Sequence, residues 1–147
     1  MTRDEYYLDI AEAVSKKSPC LKKHYGAVIV NNGEIIATGY NGPPRGETHC
    51  VECLKGDISR GKDFDEYLSC RSVHAEMNAI ISASRRDMIG STLYLACTMG
   101  VGEKVGGPIW IEIGDPEPCK ICERLIKNAG ISRVITRKGV IYENKID

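Results

Sequence analysis

Two short segments of the chain each place reactive side chains at the start of a predicted helix. The stretch VHAEMNAII carries His74 and Glu76 beside an apolar run, and PEPCKIC carries Cys119 and Cys122 after Pro118, a residue suited to the first turn of a helix. The C-x-x-C spacing puts both sulfurs on one face of that helix. An imidazole and two thiolates make the three-ligand set of a catalytic zinc site, which leaves one position for water. A fold that forms such a site must bring the two helix starts together.

Each segment alone is ambiguous. A histidine beside an apolar stretch is more often a hydrogen-bonded core residue, and an isolated C-x-x-C serves equally in a redox pair or in half of a structural zinc site. Together the segments match H-x-E…P-C-x-x-C, the signature of zinc-dependent nucleobase deaminases. A redox role for Cys119 and Cys122 leaves His74 and Glu76 unexplained, whereas in the deaminase pattern Glu76 is the acid beside the metal that moves protons.

The periodicity along the chain predicts alternating helices and strands. Asn32-Gly33 lies between two apolar runs and predicts a hairpin of two strands. Two stretches rich in glycine, proline and polar residues predict long loops, 41–70 and 99–117. Helices are predicted over residues 3–17, 74–86 and 118–130, and further strands over 91–98, 131–137 and, more briefly, 140–142. The order α-β-β-α-β-α-β predicts an α/β domain with helices packed on a central sheet.

The composition is that of an ordinary globular protein. A chain of 147 residues predicts one domain over residues 1–147. Its 20 basic and 20 acidic side chains cancel, whereas a protein that grips long nucleic acids normally has a basic surplus. No apolar run is long enough to span a membrane, and the acidic N-terminal segment is unlike a signal peptide. Seven cysteines without an export signal indicate a reducing, cytoplasmic location, with metal ligands or buried thiols rather than disulfides.

The chain resembles the deoxycytidylate (dCMP) deaminase family of the cytidine deaminase superfamily over most of its length. The stretches that carry the resemblance are YGAVIVNNGEIIATGYNGPPRG, HAEMNAI, PCKIC and LIKNAGISRVI. The resemblance implies a cytidine-deaminase-like three-layer α/β fold, in which helices flank a five-stranded mixed sheet. It also implies that two helix N-termini deliver His74, Cys119 and Cys122 to one catalytic zinc ion (Zn²⁺).

The same resemblance implies an activity and a set of substrate contacts. The implied reaction is the hydrolytic deamination of dCMP to dUMP: water activated at the zinc attacks C4 of cytosine, Glu76 transfers protons and ammonia leaves, without an organic cofactor. Asn41 matches the family's sugar-contacting asparagine, and Ala75, beside the histidine ligand, is a further expected contact. Ser18 and Lys23 belong to the basic segment KKSPCLKKH, which suits a single 5′-phosphate as well as it suits a solvated helix end.

A second zinc and a second nucleotide site are implied as well. Some dCMP deaminases hold a structural zinc with cysteines at the positions of Cys20 and Cys50, and four thiolates make a closed tetrahedral site. We expect this zinc to be bound by Cys20, Cys50, Cys53 and Cys70, with His49 in reserve; unlinked thiols are the alternative. The segment Gly39, Tyr40, Asn41 and Gly42 resembles the part of regulated members that binds dCTP or dTTP at a subunit contact, although a tight turn also explains its Asn-Gly pair. The family commonly forms homo-oligomers, either hexamers or dimers.

Two features depart from the family pattern. Relatives usually pass directly from the third strand to the Pro-Cys motif, whereas Thr98–Glu117 intervenes here. Trp110 in this insertion is either a lid residue that stacks on the base or part of an extra strand or dimer contact, PIWIEI, which is the interpretation we favour. Tyr25 stands where the family usually has valine. Both departures bear on substrate identity rather than on the chemistry.

Other functions compete with dCMP deamination. The same chemistry could act on a free cytidine-type nucleoside, a modified cytosine nucleotide or another heterocycle. Deamination of adenosine in tRNA is disfavoured because the chain ends in GVIYENKID, without a basic extension. A zinc-stabilised interaction module without catalysis is the alternative from another class. Retention of Glu76 argues against it, because a glutamate at this position is not needed to hold the metal.

Overall fold

A mixed β-sheet with helices on both faces forms the described part of the chain. The computed structural model describes residues 1–52, 70–104, 107–112 and 116–144, with the backbone alone for 101–104 and 107–112. Its helices are α1 (Arg3–Ser15), α2 (Ala75–Ile81), α3 (Arg85–Met88) and α4 (Lys120–Ala129). Its strands are β1 (His24–Asn31), β2 (Glu34–Tyr40), β3 (Thr92–Lys104), β4 (Gly107–Glu112), β5 (Arg133–Thr136) and β6 (Gly139–Glu143). None of the helices in these ranges combines the length and the apolar character needed to cross a membrane.

The strands follow the order β2-β1-β3-β5-β6, and β4 pairs with β3 outside this path. β3 and β5 run parallel, whereas the other paired strands are antiparallel. The predicted cytidine-deaminase-like α/β fold with a five-stranded mixed sheet is therefore confirmed, and β4 adds a sixth strand to it.

Successive side chains of the central strands point to opposite faces of the sheet, and each face packs on different helices. Ala27 of β1 and Leu95 of β3 belong to one buried cluster with Ala75 of α2 and Ile126 of α4. Val28, the next residue of β1, belongs to a second cluster that includes residues of α1. The sheet is therefore the middle of three layers, with α2 and α4 on one face and α1 on the other.

The predicted helix over residues 74–86 is two helices in the structure. α2 ends at Ile81, and α3 begins after Ser84, whose hydroxyl accepts a hydrogen bond from the Asp87 amide at 3.2 Å. The intervening Ser-Ala-Ser sequence favours this break because serine hydroxyls near helix ends hydrogen-bond to the local backbone. The predicted start of α1 is confirmed, because the expected capping box of Thr2 and Glu5 is present there. The hairpin turn at Asn32-Gly33 is present too, with φ of 51° and 77°.

β3 continues beyond the strand predicted over 91–98, and β4 returns beside it. Their pairing runs from Thr98 opposite Glu112 to Lys104 opposite Gly107, so the loop predicted over 99–117 is wrong for most of these residues and the favoured extra strand is confirmed. Thr98 also pairs with His24, the first residue of β1. The β3–β4 hairpin therefore extends beyond the other strands at the end of the sheet where β1 begins. The side chain of Trp110 lies outside the described part, and its role as a lid stays a prediction.

Candidate metal centre

Three potential metal ligands meet where two helices begin. His74 is the N-cap of α2 and Cys119 is the N-cap of α4, both with extended backbone conformation. Cys122 lies one turn into α4 and is fully buried. Because α2 and α4 pack on the same face of the sheet and contact each other, their first residues converge. The two motifs that the sequence predicts to share a site are adjacent in the fold.

The distances between the ligand atoms fit a zinc ion. His74 Nδ1 lies 3.3 Å from Cys122 Sγ and 3.5 Å from Cys119 Sγ. All three ligand atoms lie within 4.8 Å of one another. Tetrahedral zinc with Zn–N of about 2.0 Å and Zn–S of about 2.3 Å places nitrogen and sulfur roughly 3.5 Å apart. The donor set and its spacing are therefore those of a zinc site with three protein ligands.

The two thiols differ in their surroundings. Cys119 Sγ accepts a hydrogen bond from the Cys122 amide at 3.4 Å, which fixes this sulfur at the start of α4. Burial, together with the nearby Glu76 carboxyl and the Cys119 sulfur, raises the pKa of the Cys122 thiol. Zinc binding would therefore release a proton from Cys122, because a thiol must be deprotonated to become a ligand.

Glu76 lies beside these ligands. It is the second residue of α2, and its side chain is only 4% exposed. Burial raises the pKa of its carboxyl, whereas hydrogen bonds from its own backbone amide and from the Cys122 thiol oppose that shift. A buried carboxyl held next to the ligand cluster is placed to exchange protons within the site.

Three of the four residues predicted to contact the substrate, Asn41, Ser18 and Lys23, lie around the start of β1. Asn41 Oδ1 accepts from the Tyr25 amide at 2.8 Å, and its Nδ2 donates to the Lys23 carbonyl at 3.0 Å. Ser18 Oγ donates to the Asn41 carbonyl at 2.8 Å. Asn41 and Ser18 are buried and Lys23 is exposed, while the Ala75 side chain is fully buried in the core. Asn41 thus fixes the start of β1, and the second hydrogen of its side-chain amide is left for a substrate. Ala75 can contact a substrate only through its backbone.

The cysteines predicted to hold a second zinc are partly described. Cys20, Cys50 and Cys70 are half-buried, and Cys53 lies outside the described residues. Among the residues that are described, the cluster of three or more candidate ligands is the one at His74, Cys119 and Cys122, and the half-buried cysteines do not form another. His49, the reserve ligand, is exposed.

Two structural features of the site were not predicted from the sequence. Gly39, grouped above with the nucleotide-binding segment, lies directly under α2, where a Cβ atom would collide with the Ala75 carbonyl and the Ala79 amide. Tyr25 and Cys97 are cross-strand partners, directly opposite each other in the pairing of β1 with β3. The departure of Tyr25 from the family pattern was the available signal for the second feature, but no sequence pattern indicated that Cys97 would lie opposite it.

Comparison with known proteins places the chain among deaminases. Residues 1–138 match the model of the family described as the cytidine and deoxycytidylate deaminase zinc-binding region. The chain is 36% identical to the deoxycytidylate deaminase of Mycobacterium phage D29 over 139 residues, which cover 92% of this chain and 94% of the phage protein. It is 35% identical to the deoxycytidylate deaminase of Schizosaccharomyces pombe over 90% of this chain, but spans only 36% of that longer protein.

A solved structure supports the same assignment. The dCMP deaminase from cyanophage S-TIM5, in a crystal structure in complex with dCMP and dUMP, is 30% identical in sequence to the chain and superposes with a TM-score of 0.58. The match covers 91% of this chain and 81% of the cyanophage chain.

Proposed function

Because the chain belongs to the cytidine and deoxycytidylate deaminase family, we propose that it catalyses the zinc-dependent hydrolysis of dCMP to dUMP and ammonia. The observation that carries this proposal is the cluster of His74, Cys119 and Cys122 with Glu76 buried beside it. The similarity to a phage deoxycytidylate deaminase along nearly the full length of both chains supports dCMP as the substrate. A non-catalytic zinc module would have no use for a carboxyl in that position.

The proposed roles of the residues follow from their positions. His74, Cys119 and Cys122 would hold the zinc, which when bound supplies a Lewis acid that lowers the pKa of water. Glu76 accepts a proton from the attacking water, delivers it to N3 of the cytosine ring and assists the departure of the amino group as ammonia. Burial raises the pKa of Glu76, which favours a carboxyl that both accepts and donates protons near neutral pH. Water supplies the oxygen that becomes O4 of uracil, so the reaction consumes no further reagent.

The 5′-phosphate should contribute strongly to substrate recognition. We expect kcat/KM for dCMP to exceed that for deoxycytidine by roughly 10- to 100-fold, because a charged hydrogen bond contributes about 1.5–3 kcal/mol. Lys23 is exposed beside the buried Ser18–Asn41 contact and is the proposed cationic partner. Ammonia release from each substrate measures the ratio, and Lys23→Met should lower it.

Lys127→Met is the matched control for that experiment. Lys127 is an exposed lysine that pairs with Glu123 on α4 at 3.1 Å, so its loss should leave the ratio unchanged. Equal kcat/KM for dCMP and deoxycytidine in the wild-type protein would show that the phosphate is not recognised. The alternative of a free nucleoside as substrate would then replace the proposal.

A second, structural zinc bound by Cys20, Cys50, Cys53 and Cys70 remains part of the proposal. Two sets of contacts support it by bringing the described cysteine segments towards one region. Arg71, next to Cys70, donates to the Thr48 carbonyl at 2.9 Å and lies 3.6 Å from Cys50 Sγ. The Cys20 amide donates to Ser18 Oγ at 3.2 Å, and Ser18 in turn contacts Asn41. Gly42 pairs with Val73, which connects the two regions.

This proposal predicts two zinc ions per chain. Cys50→Ser should reduce the count to one and lower thermal stability, because a structural zinc contributes directly to folding free energy. Cys97→Ser is the matched control, since Cys97 is a buried thiol outside the proposed ligand sets. Elemental analysis of protein purified without chelator gives the count. One zinc per fully active wild-type chain would refute the second site.

Assembly and regulation are proposed from the surface around the metal centre. α2 and α4 contact each other, and they expose the apolar side chains of Ile81, Ile121 and Leu125, the type of surface that subunit contacts bury. We propose a homo-oligomer, either a hexamer or a dimer, with dCTP or dTTP as regulators bound near Gly39–Gly42. Light scattering measures the number of subunits, and repeating it with dCTP or dTTP shows whether either triphosphate changes the assembly. A single domain over residues 1–147 and a cytoplasmic location stay predictions from the sequence.

A further inference from the structure

Tyr25 and Cys97 face the same side of the sheet as the metal centre. They are directly opposite each other in the pairing of β1 with β3. Tyr25 precedes Ala27 by two residues and Cys97 follows Leu95 by two, so the alternation of strand side chains gives all four the same face. Ala27 and Leu95 pack with α2 and α4, the helices that carry the three ligands, and the Tyr25 ring packs against this cluster.

The Tyr25 side chain lies near both Cys97 and Glu76. Cys97 is directly opposite it across the strand pair, and the Glu76 carboxyl is close enough to act on its hydroxyl electrostatically. Burial and these two neighbours raise the pKa of the hydroxyl, so the phenol is uncharged at neutral pH. Its backbone is fixed as well, because the Tyr25 amide donates to Asn41 Oδ1 at 2.8 Å. Tyr25 is therefore held beside Glu76 by its backbone and by the packing of its ring, and it is only half-buried.

We infer that Tyr25 is a specificity-determining residue that borders the base-binding part of the pocket and excludes cytosine rings with a substituent at C5. The inference rests on the proposed function, in which Glu76 acts at N3 and water attacks C4, so that the reacting edge of the base lies beside Glu76. Tyr25, next to Glu76, then faces that edge. Tyrosine fills more space than the valine usual at this position, and the packing of its ring against the buried cluster of this face keeps the ring in place. C5 of cytosine adjoins C4 and carries only hydrogen in dCMP. A methyl group on C5 is therefore the smallest substituent that would collide with the Tyr25 ring.

The test compares kcat/KM for 5-methyl-dCMP with kcat/KM for dCMP in the zinc-loaded protein. Tyr25→Val should raise the ratio of the two by at least about tenfold, since one methyl group in a fitted pocket commonly changes kcat/KM by this factor. Tyr25→Phe keeps the ring and should stay within about threefold of the wild type. Tyr94→Phe is the matched control, because Tyr94 is a strand tyrosine on the opposite face, where its hydroxyl donates to Asp4 at 2.8 Å.

The outcomes separate this inference from the proposed function. A wild-type protein that does not deaminate dCMP would overturn the proposed function and this inference with it. A wild-type protein active on dCMP whose substrate ratio is unmoved in Tyr25→Val would overturn the inference alone. Tyr25→Leu is the second variant should Tyr25→Val fail to fold, and failure of both to fold would assign Tyr25 to stability and overturn its role in specificity.

Discussion

Glu76→Gln should keep its zinc and lose deaminase activity by about 10²–10⁴-fold, the range typical of general acid–base residues. The carboxyl exchanges protons with water, with N3 and with the departing amino group, and an amide can do none of these. The zinc should remain because His74, Cys119 and Cys122 are unchanged and lie within 4.8 Å of one another. Ammonia release from dCMP and elemental analysis of the same sample measure the two properties together.

The same substitution should leave the fold intact. Glu76 is 4% exposed, and burial raises its pKa, which means that the site disfavours the charged form. A neutral amide of the same size should therefore be accommodated at neutral pH without loss of stability. Glu123→Gln is the matched control, since Glu123 is a first-turn glutamate of α4 that pairs with Lys127. Turnover of Glu76→Gln within about tenfold of the wild type, well short of the usual acid–base contribution, would remove Glu76 from the mechanism and favour a zinc-stabilised interaction module.

The meeting of His74, Cys119 and Cys122 in one cluster was predictable from the sequence because its signals are local. Each ligand motif lies at a helix start, and helix starts are marked by short patterns such as Pro118 before Cys119. The spacing of Cys119 and Cys122 needs only the geometry of one turn. That the two starts converge follows from the α/β order of elements, in which successive helices pack on one sheet.

The bracing role of Asn41 was not predictable in the same way. Its partners, the backbone groups of Lys23 and Tyr25, are distant along the chain and come together only when β1 and β2 pair. No local pattern encodes which backbone groups a buried asparagine will satisfy. For the same reason, the pairing of Tyr25 with Cys97 depends on the register of β1 against β3. The β3–β4 hairpin was difficult to predict for a different reason. Its glycines indicate a loop, whereas the branched and aromatic residues of PIWIEI indicate a strand. In the structure the segment is a strand because it pairs with β3.

Gly39→Ala should destabilise the protein and weaken zinc binding together. Gly39 lies in β2 under α2, and a Cβ atom there would collide with the Ala75 carbonyl and the Ala79 amide. Both obstacles are backbone atoms, which cannot rotate away, so α2 must move from the sheet. Overpacking of this kind costs about 1–3 kcal/mol, and the upper part of the range would lower Tm by roughly 6 °C or more in a domain of this size. Since α2 begins at the His74 ligand, its displacement should also reduce zinc affinity.

Gly26→Ala separates these two effects. Gly26 lies in β1 against α1, and a Cβ atom there would collide with the Ala11 carbonyl and come within 2.6 Å of the Ser15 amide nitrogen. Gly26→Ala should lower Tm by about as much as Gly39→Ala does. Because α1 carries none of the three proposed ligands, the zinc affinity of the folded protein should stay near the wild-type value. Thermal melts and competition with a chelator measure the two quantities. Equal zinc affinity in both variants would show that the position of α2 does not control the metal centre, because a helix displaced by about the width of a methyl group would then still deliver His74 to the zinc.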